Sequence, residues 1–306
     1  MGKRTALERI GLALQRRKER VICKVTGMEY PPGHYHSPFP CLSEIKGNEN
    51  AIFKELGRVL PGIDLNEDRQ LALLKQFADY YQELPFRPYK SENLRYFYEN
   101  RFYSYSDGII LFCIMRHLCP KKILEVGSGY SSCVILDTNE LFFENRIECI
   151  FVEPYPERLL GLVKETDLAR IRIVQKRSQD VEIALFSELG GGDLLLVDST
   201  HVSKVGSDVN YFVHDVLPRL QDDVYVHFHD IFYPFEYPKQ WIYSGRAWNE
   251  AYVLRAFLEY NNRFEVIFFN TFMTGFYETW FKRNMPMCLK NRGGSIWFRK
   301  LGTRVY

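Results

Sequence analysis

The chain has 306 residues, which is longer than a typical domain but fits one α/β domain with an N-terminal extension. Hydrophobic residues make up 46% of it and charged residues 25%, so it can bury a core, and global disorder is excluded. The formal net charge of +2 lacks the strong basic excess of a dedicated nucleic-acid-binding protein, and we expect no nucleic-acid partner.

Cysteine usage and apolar run length predict a cytoplasmic protein without a membrane span. The seven cysteines are an odd number and form no CxxC pair, which fits a reducing compartment. The longest uncharged apolar stretch, residues 108–115, is too short to cross a bilayer.

The N-terminus carries a helical pattern. Leu7, Ile10 and Leu14 lie at helical spacing and predict a short amphipathic helix. Because Glu8 and Glu19 interrupt its basic face, we interpret it as a docking or surface helix rather than a transit peptide.

Residues 1–118 are predicted to form a cap of helices and loops. Closely spaced prolines within residues 27–48 exclude long regular elements there and predict an ordered loop or lid. Apolar residues at helical spacing then predict helices over 67–84 and 106–118.

Beyond this cap, short β-rich runs alternate with helix-length segments, which predicts βαβ units and a doubly wound, Rossmann-like α/β domain over residues 119–306. The predicted strands are 122–126, 146–152, 171–176, 193–197, 223–228, 264–270 and 295–299. The predicted helices between them are 131–141, 156–165, 178–188, 207–220 and 246–260.

The first of these strands runs into a glycine turn and a helix start, an arrangement that lets backbone approach a nucleotide-like ligand. A dinucleotide-binding turn would favour glycine at position 132, which is serine here. The carboxylate of Glu125 would repel a pyrophosphate but suits the cationic methionyl end of S-adenosylmethionine. The predicted cofactor residues at this turn are Glu125, Gly127, Ser128, Gly129, Ser131 and Ser132.

Polar residues also follow the second and third predicted strands. Glu153 can accept hydrogen bonds from both ribose hydroxyls, and Ser178 and Gln179 can meet the adenine edge. Taken singly, Glu153 could be a helix-start charge and Ser178 a helix N-cap. As a set at three successive strand ends, with the glycine turn, they favour a ligand site.

These residues resemble the class I S-adenosylmethionine-dependent methyltransferase superfamily. The ILEVGSG, FVEP and RSQD stretches are most similar to its catechol-O-methyltransferase-like branch, and the resemblance covers roughly residues 121–300. It implies a seven-stranded sheet with a C-terminal antiparallel hairpin. It also implies Glu153 on the ribose, Ser178 and Gln179 near adenine, and the two glycines under the methionine part of the cofactor.

The fourth and fifth predicted strands end in residues that could carry the chemistry. Asp198 and His201 follow the fourth strand, and His229 and Asp230 follow the fifth, so all four should converge at one edge of the sheet. Asp198 is predicted to contribute both to catalysis and to cofactor binding. A hydroxyl acceptor must lose its proton during methyl transfer. We predict His201 as the base, because the unperturbed pKa of histidine is about 6.5, and Lys204 as its substitute. A solvated loop remains the alternative for both.

In the resembling branch, the matching aspartates bind a divalent cation. This implies a metal site at Asp198, His229 and Asp230, in which the imidazole of His229 favours zinc, iron or manganese over magnesium. A metal-free interpretation stays open, in which Asp198 only caps its loop and His227 belongs to the core.

We expect methyl transfer to a small-molecule or glycan hydroxyl, and homo-oligomerisation stays open. Two aromatic, proline-rich loops, residues 30–38 and 232–241, are predicted to close over the acceptor, with His34, His36 and Trp241 as candidate contacts. N-methylation, a nicotinamide-dependent oxidoreductase and a non-catalytic nucleotide-binding protein remain alternatives. The serine at position 132 and the carboxylate at 125 count against the oxidoreductase.

Overall fold

The computed structural model describes residues 6–53 and 57–302, with the backbone alone for residues 6–12, 15 and 16. Its contacts divide the chain into two compact units. In the described residues, the smaller unit comprises 6–53 and 239–247, and the larger comprises 57–238 and 248–302. Residues 57–118 thus group with the sheet by their contacts, and the domain boundary predicted at residue 118 stays a prediction.

Helices occur in both units. The α-helices within the described residues are α1 (Ala6–Thr26), α2 (Leu42–Gly47), α3 (Glu49–Ile52), α4 (Glu67–Tyr81), α5 (Ser106–Leu118), α6 (Tyr130–Phe143), α7 (Glu157–Leu160), α8 (Ile183–Phe186), α9 (Asp208–Tyr211), α10 (Leu217–Arg219), α11 (Lys239–Tyr243), α12 (Glu250–Leu258), α13 (Asn270–Phe276) and α14 (Glu278–Asn284). None of the helices in these described parts has the length and apolarity that a bilayer crossing requires.

The larger unit is built on a seven-stranded sheet. Its strands are β1 (Lys122–Val126), β2 (Glu148–Val152), β3 (Ile171–Val174), β4 (Leu194–Val197), β5 (Tyr225–His229), β6 (Phe264–Phe269) and β7 (Ser295–Lys300). They lie in the order β3-β2-β1-β4-β5-β7-β6. The first five strands are parallel, and β7 is antiparallel to both β5 and β6.

The predicted seven-stranded α/β sheet and its antiparallel C-terminal pair are therefore confirmed. The pair is not a tight hairpin, because α13, α14 and a 3-10 turn at Pro286–Leu289 separate β6 from β7. The strand β5 extends to residue 229, so His229 is the last residue of the strand rather than the first of the loop.

Several predicted helices are shorter or interrupted. The segment predicted over 156–165 is helical only in α7, and a 3-10 turn covers Glu165–Ala169. The segment predicted over 178–188 divides into a 3-10 turn and α8, because Val181 between them is extended and buried. Between α9 and α10 the helix widens into a π-turn just before Pro218, which lacks the N–H that a regular helix would use.

The topology creates a crevice at one edge of the sheet. The strands β1, β2 and β4 are apolar and almost wholly buried, which requires helices over both faces. From the adjacent strands β1 and β4, the chain proceeds outward in opposite directions, to β2 and to β5. Right-handed crossovers then put their connections on opposite faces, so the carboxyl ends of β1 and β4 border the crevice in which such folds bind ligands.

Candidate active site

The glycine turn after β1 is packed directly against the end of β4. Gly127 has a φ of 80°, and a Cβ at this position would overlap the carbonyl oxygen of Asp198. The Asp198 N–H donates to the Val126 carbonyl at 2.9 Å. Gly129, in contrast, has extended backbone, and an added Cβ would meet only the Arg158 side chain at 3.5 Å. Only Gly127 is therefore required by the fold itself.

Glu125 is a buried carboxyl at the end of β1. Its Oε2 accepts a hydrogen bond from the hydroxyl of Ser132, which in turn accepts from the Gly129 N–H at 3.0 Å. Burial raises the pKa of Glu125 to about 8, and the nearby charge of Asp198 adds to this effect. The other oxygen, Oε1, is buried without a hydrogen-bond partner among the described residues. The serine at position 132 thus has a structural use, since glycine could not bridge the turn and the carboxyl.

Glu153 is held by backbone at the end of β2. Its Oε2 accepts from the Ser128 N–H at 3.1 Å and its Oε1 from the Tyr155 N–H at 2.9 Å. These bonds fix the carboxylate beside the glycine turn and leave lone pairs on both oxygens. Ser128 and Ser131 are buried here, and the Ser128 hydroxyl has no partner among the described residues.

The polar residues after β3 lie in the short 3-10 turn Ser178–Asp180. Ser178 is buried, and Gln179 Nε2 donates to the Gly206 carbonyl, in the loop after β4, at 3.1 Å. With Asp198 after β4, the predicted cofactor residues thus lie at the ends of four neighbouring strands, β3, β2, β1 and β4.

His201 is the centre of a group of carboxylates after β4 and β5. Its Nδ1 lies 2.8 Å from Glu250 Oε2. Its Nε2 faces the two strand-end aspartates, at 3.3 Å from Asp198 Oδ1 and 3.7 Å from Asp230 Oδ2. The ring is buried and lies against the indole of Trp248, with 4.3 Å between the ring centroids. One imidazole nitrogen is thus anchored and the other is directed at the strand-end aspartates.

The loop after β4 is fastened to the start of α12, which explains how this ring is held. The Ser199 hydroxyl donates to Glu250 Oε1 at 2.6 Å and accepts from the His201 N–H at 2.9 Å. The Asn249 N–H donates to the His201 carbonyl at 3.0 Å. The sequence analysis missed Glu250. The sequence shows it only as a carboxylate in the first turn of a helix, and acidic residues are common at that position, so the pattern does not point to a functional residue.

The charges around His201 change its protonation. Burial alone would lower the pKa of His201, but the hydrogen bonds with Asp198 and Glu250 prevail and hold it well above the usual value. Desolvation raises the pKa of Asp198, yet His201 and the neighbouring histidines keep it below its ordinary value. The expectation of an unperturbed pKa for His201 is therefore wrong, because its carboxylate partners raise the pKa of the ring. Its role as a base stays a prediction.

The predicted metal set does not assemble around one point. His229 Nε2 lies 3.6 Å from Asp230 Oδ1, while the His201 ring faces both aspartates. Among the described residues, no group of three His, Cys, Asp or Glu side chains could hold a metal ion. These side chains as arranged do not fit a metal, and we derive no step through one.

His227 has the environment of a core residue. Its ring lies 4.4 Å from that of Trp297, and burial holds its pKa well below the usual value. Neither ring nitrogen has a hydrogen-bond partner among the described residues.

The remaining predicted residues lie apart from this group. Lys204 is exposed, and its ammonium makes no ion pair within the described residues. His34, His36 and Trp241 belong to the smaller unit. There His34 stacks on Tyr30 with 4.7 Å between centroids and accepts from the His36 N–H at 3.1 Å. Their contact with an acceptor stays a prediction.

Comparisons with known proteins agree with this architecture. A family model described as a methyltransferase domain matches residues 124–231, which run from β1 to just beyond β5. An uncharacterized protein of Archaeoglobus fulgidus is 31% identical over 190 residues, covering 60% of this chain and 84% of that protein.

Two solved structures are also similar at low identity. One is a methyltransferase of Podospora anserina, PaMTH1, bound to S-adenosylhomocysteine, with 16% identity, a TM-score of 0.43, and coverage of 81% of this chain and 100% of that one. Another is the O-methyltransferase TomG of Streptomyces achromogenes, involved in tomaymycin synthesis and solved with S-adenosylmethionine, with 12% identity, a TM-score of 0.41, and coverage of 85% and 96%. The domain match identifies the region from β1 to just beyond β5 as a methyltransferase domain, and the seven-stranded sheet agrees with the class I fold expected of an S-adenosylmethionine-dependent methyltransferase.

Proposed function

We propose that this methyltransferase transfers a methyl group to a hydroxyl oxygen of a small-molecule or glycan acceptor, in the cytoplasm. One observation carries the proposal. The imidazole of His201 is anchored by Glu250 through Nδ1, and its Nε2 points to the strand-end aspartates Asp198 and Asp230. A histidine that is oriented by a carboxylate at one nitrogen and directs the other at the ligand-binding edge of the sheet is a general acid–base arrangement.

The cofactor would lie across the ends of β1 to β3. Glu153 would accept from the ribose hydroxyls, because both of its oxygens are oriented by backbone N–H groups. Glu125 would face the methionyl ammonium, and Ser178 and Gln179 the adenine. S-adenosylmethionine supplies an electrophilic methyl group on a sulfonium when it is bound.

The chain's own contribution to the reaction is to position the acceptor and remove its proton. During methyl transfer, in which the sulfur–methyl bond is exchanged for an oxygen–methyl bond and S-adenosylhomocysteine leaves, the proton of the acceptor hydroxyl would pass to Nε2 of neutral His201. The Glu250 carboxylate would hold the Nδ1 proton and stabilise the imidazolium that results. Because the surrounding carboxylates raise the pKa of His201, the neutral base forms at a higher pH than it would in an ordinary histidine.

The test begins with cofactor binding. Calorimetric titration with S-adenosylhomocysteine should give saturable binding that Glu153→Gln weakens by about tenfold or more, since one hydrogen-bonded carboxylate would be lost. Wild-type protein that binds no S-adenosylhomocysteine would contradict the assignment of the cofactor site. Binding justifies an acceptor screen over phenols, sugars and amines, run with and without a chelator.

His201 is then tested by substitution. His201→Ala should bind S-adenosylhomocysteine as the wild type does and lose turnover on the order of 100-fold or more, because the proton acceptor is gone. His214→Ala is the matched control, since His214 is exposed in the π-turn between α9 and α10. Unchanged turnover in His201→Ala would remove this residue from the mechanism.

Glu250 acts through His201 and is a positioning residue. Glu250→Gln keeps the size of the side chain but removes a negative charge beside the imidazole, which lowers the pKa of His201. The rising limb of the pH profile of kcat/KM should therefore move to lower pH by about one unit or more, while the maximal kcat falls. A purely structural role would lower activity without moving this limb.

N-methylation is the second candidate, and the raised pKa of His201 favours it. A neutral amine can attack the methyl group without a base, so a cationic histidine beside the acceptor is no obstacle. In the acceptor screen, amine methylation that persists in His201→Ala would support this function over O-methylation.

A further inference from the structure

Helix α1 presents an apolar stripe to solvent. Leu14 is 63% exposed, Val21 55% and Val25 81%. At about 100° per residue, their spacing places all three on one face of the helix. Leaving three aliphatic side chains of one helix face in water is unfavourable, which indicates that this face is covered by something other than the described chain.

Cations border the stripe. Arg17, Lys18, Arg20 and Lys24 are all exposed. In helical projection Arg17 and Lys24 lie along one border of the stripe and Lys18 along the other. Glu19 falls toward the opposite side of the helix, where Cys23 is half-buried. Over residues 6–26, six basic residues stand against two acidic ones. The exposed face therefore combines apolar surface with positive charge.

We propose that α1 is a membrane-docking helix that lies on an anionic phospholipid surface, with the stripe of Leu14, Val21 and Val25 among the acyl chains. An exposed apolar face bordered by lysine and arginine is the pattern of an interfacial helix. Lipid phosphates complement the cations at the depth that these long side chains reach. The six cations exclude a transmembrane orientation of this helix.

A nucleic acid or a second copy of α1 would account for only one of the two properties of this helix face. A nucleic acid would use the cations but would leave the aliphatic stripe in water. A second copy of α1 would cover the stripe but would bring equal positive charges together. The docking proposal stands apart from the methyl-transfer proposal, because none of its residues belongs to the candidate active site.

The test is co-sedimentation of the full chain with vesicles of phosphatidylcholine alone or mixed with phosphatidylglycerol. Binding is expected only to the anionic vesicles and should weaken as salt rises. Each exposed cation should contribute about fivefold to the partition coefficient. Arg17→Gln/Lys24→Gln and Val21→Asn/Val25→Asn should therefore each lose tenfold or more, with unchanged circular dichroism.

Matched control variants remove the same number of exposed cations or aliphatic side chains from the larger unit. Lys75→Gln/Arg170→Gln and Val59→Asn/Leu168→Asn change exposed residues of the larger unit and should bind vesicles as the wild type does. Failure to bind anionic vesicles, or equal loss in variants and controls, would overturn the proposal. If Val21→Asn/Val25→Asn converted an oligomer to a monomer and left vesicle binding unchanged, the stripe would be covered by a second copy of the chain. That result would also overturn the proposal.

Discussion

Glu125 is kept mostly neutral in the free protein, whereas a cationic ligand would be bound by its ionised form. It is 1% exposed, and burial raises its pKa to about 8, so the folded chain keeps it mostly protonated at neutral pH. In the unfolded chain the same carboxyl titrates near its ordinary value of about 4.3. Stability is therefore lost as pH rises through this window, because the unfolded chain has already released the proton that the folded chain retains.

Replacing Glu125 by glutamine should separate stability from ligand binding. We expect Glu125→Gln to be more stable than wild type at pH 9 by roughly 2–4 kcal/mol and nearly unchanged at acidic pH, because the buried ionisation is removed. The same variant should bind S-adenosylhomocysteine at least tenfold more weakly, because the ammonium of the ligand loses its carboxylate. Urea unfolding across pH and calorimetric titration measure the two effects.

The control for this prediction is Glu144→Gln, an exposed carboxyl at the end of α6, which should change neither quantity. A Glu125→Gln protein whose stability follows the wild-type pH dependence would show that the buried carboxyl does not carry the effect.

What the sequence reveals about single residues is their place at strand ends. The sequence identifies Glu125, Glu153 and His201 because each lies at, or just after, the end of a recognisable strand of a parallel sheet. It does not identify Glu250, because Glu250 reaches His201 from a helix 49 residues downstream, and no local pattern reports that contact. The raised pKa of His201 was missed for the same reason, since it depends on that carboxylate and the two aspartates.

At the scale of elements, the turn after β1 and the end of β4 form one unit. The strand pairing of β1 with β4 continues into the contact between Gly127 and the Asp198 backbone. The two glycines of this turn therefore have different roles. Gly127 is required by its φ and by this contact, whereas Gly129 is not required by the fold, and we predict that it leaves room for the cofactor.

Alanine at the two positions should distinguish these roles. Gly127→Ala combines a left-handed backbone, worth about 1–2 kcal/mol, with a steric overlap at Asp198, and we expect a loss of about 3 kcal/mol or more. Gly129→Ala should cost about 1 kcal/mol or less and still weaken binding of S-adenosylhomocysteine. Urea unfolding and calorimetry again provide the readouts. Equal stability of the two variants would contradict the distinction.

At the scale of the whole larger unit, the order in which β-rich and helix-length runs alternate is enough to predict the sheet. It does not predict the structure of the segment between the helices α4 and α5. Residues 85–105 carry no helical or alternating pattern, yet Tyr96 and Tyr98 are fully buried. What holds this segment is a long-range ion-pair group. Arg95 is 4% exposed and reaches α6 at Asp137, at 2.7 Å. It also bonds Asp167 of the 3-10 turn before β3, its Nε lying 2.7 Å from Oδ2.

Removing Arg95 should therefore loosen the packing of this segment on the sheet. Arg95→Met leaves Asp137 and Asp167 buried without their counter-charge, and such a broken pair costs about 3–5 kcal/mol at neutral pH. The loss should shrink as pH falls and these carboxyls become protonated, because a neutral acid is less costly to bury.

Urea unfolding at neutral and acidic pH measures both effects, and hydrogen exchange at Tyr96 and Tyr98 reports on the segment itself. Arg146→Met is the matched control, because Arg146 is exposed and its ion pair with Glu144 spans 3.9 Å, so its loss should stay within about 0.5 kcal/mol. If Arg95→Met were as stable as this control, packing of the buried tyrosines rather than the ion pairs would hold the segment to the sheet.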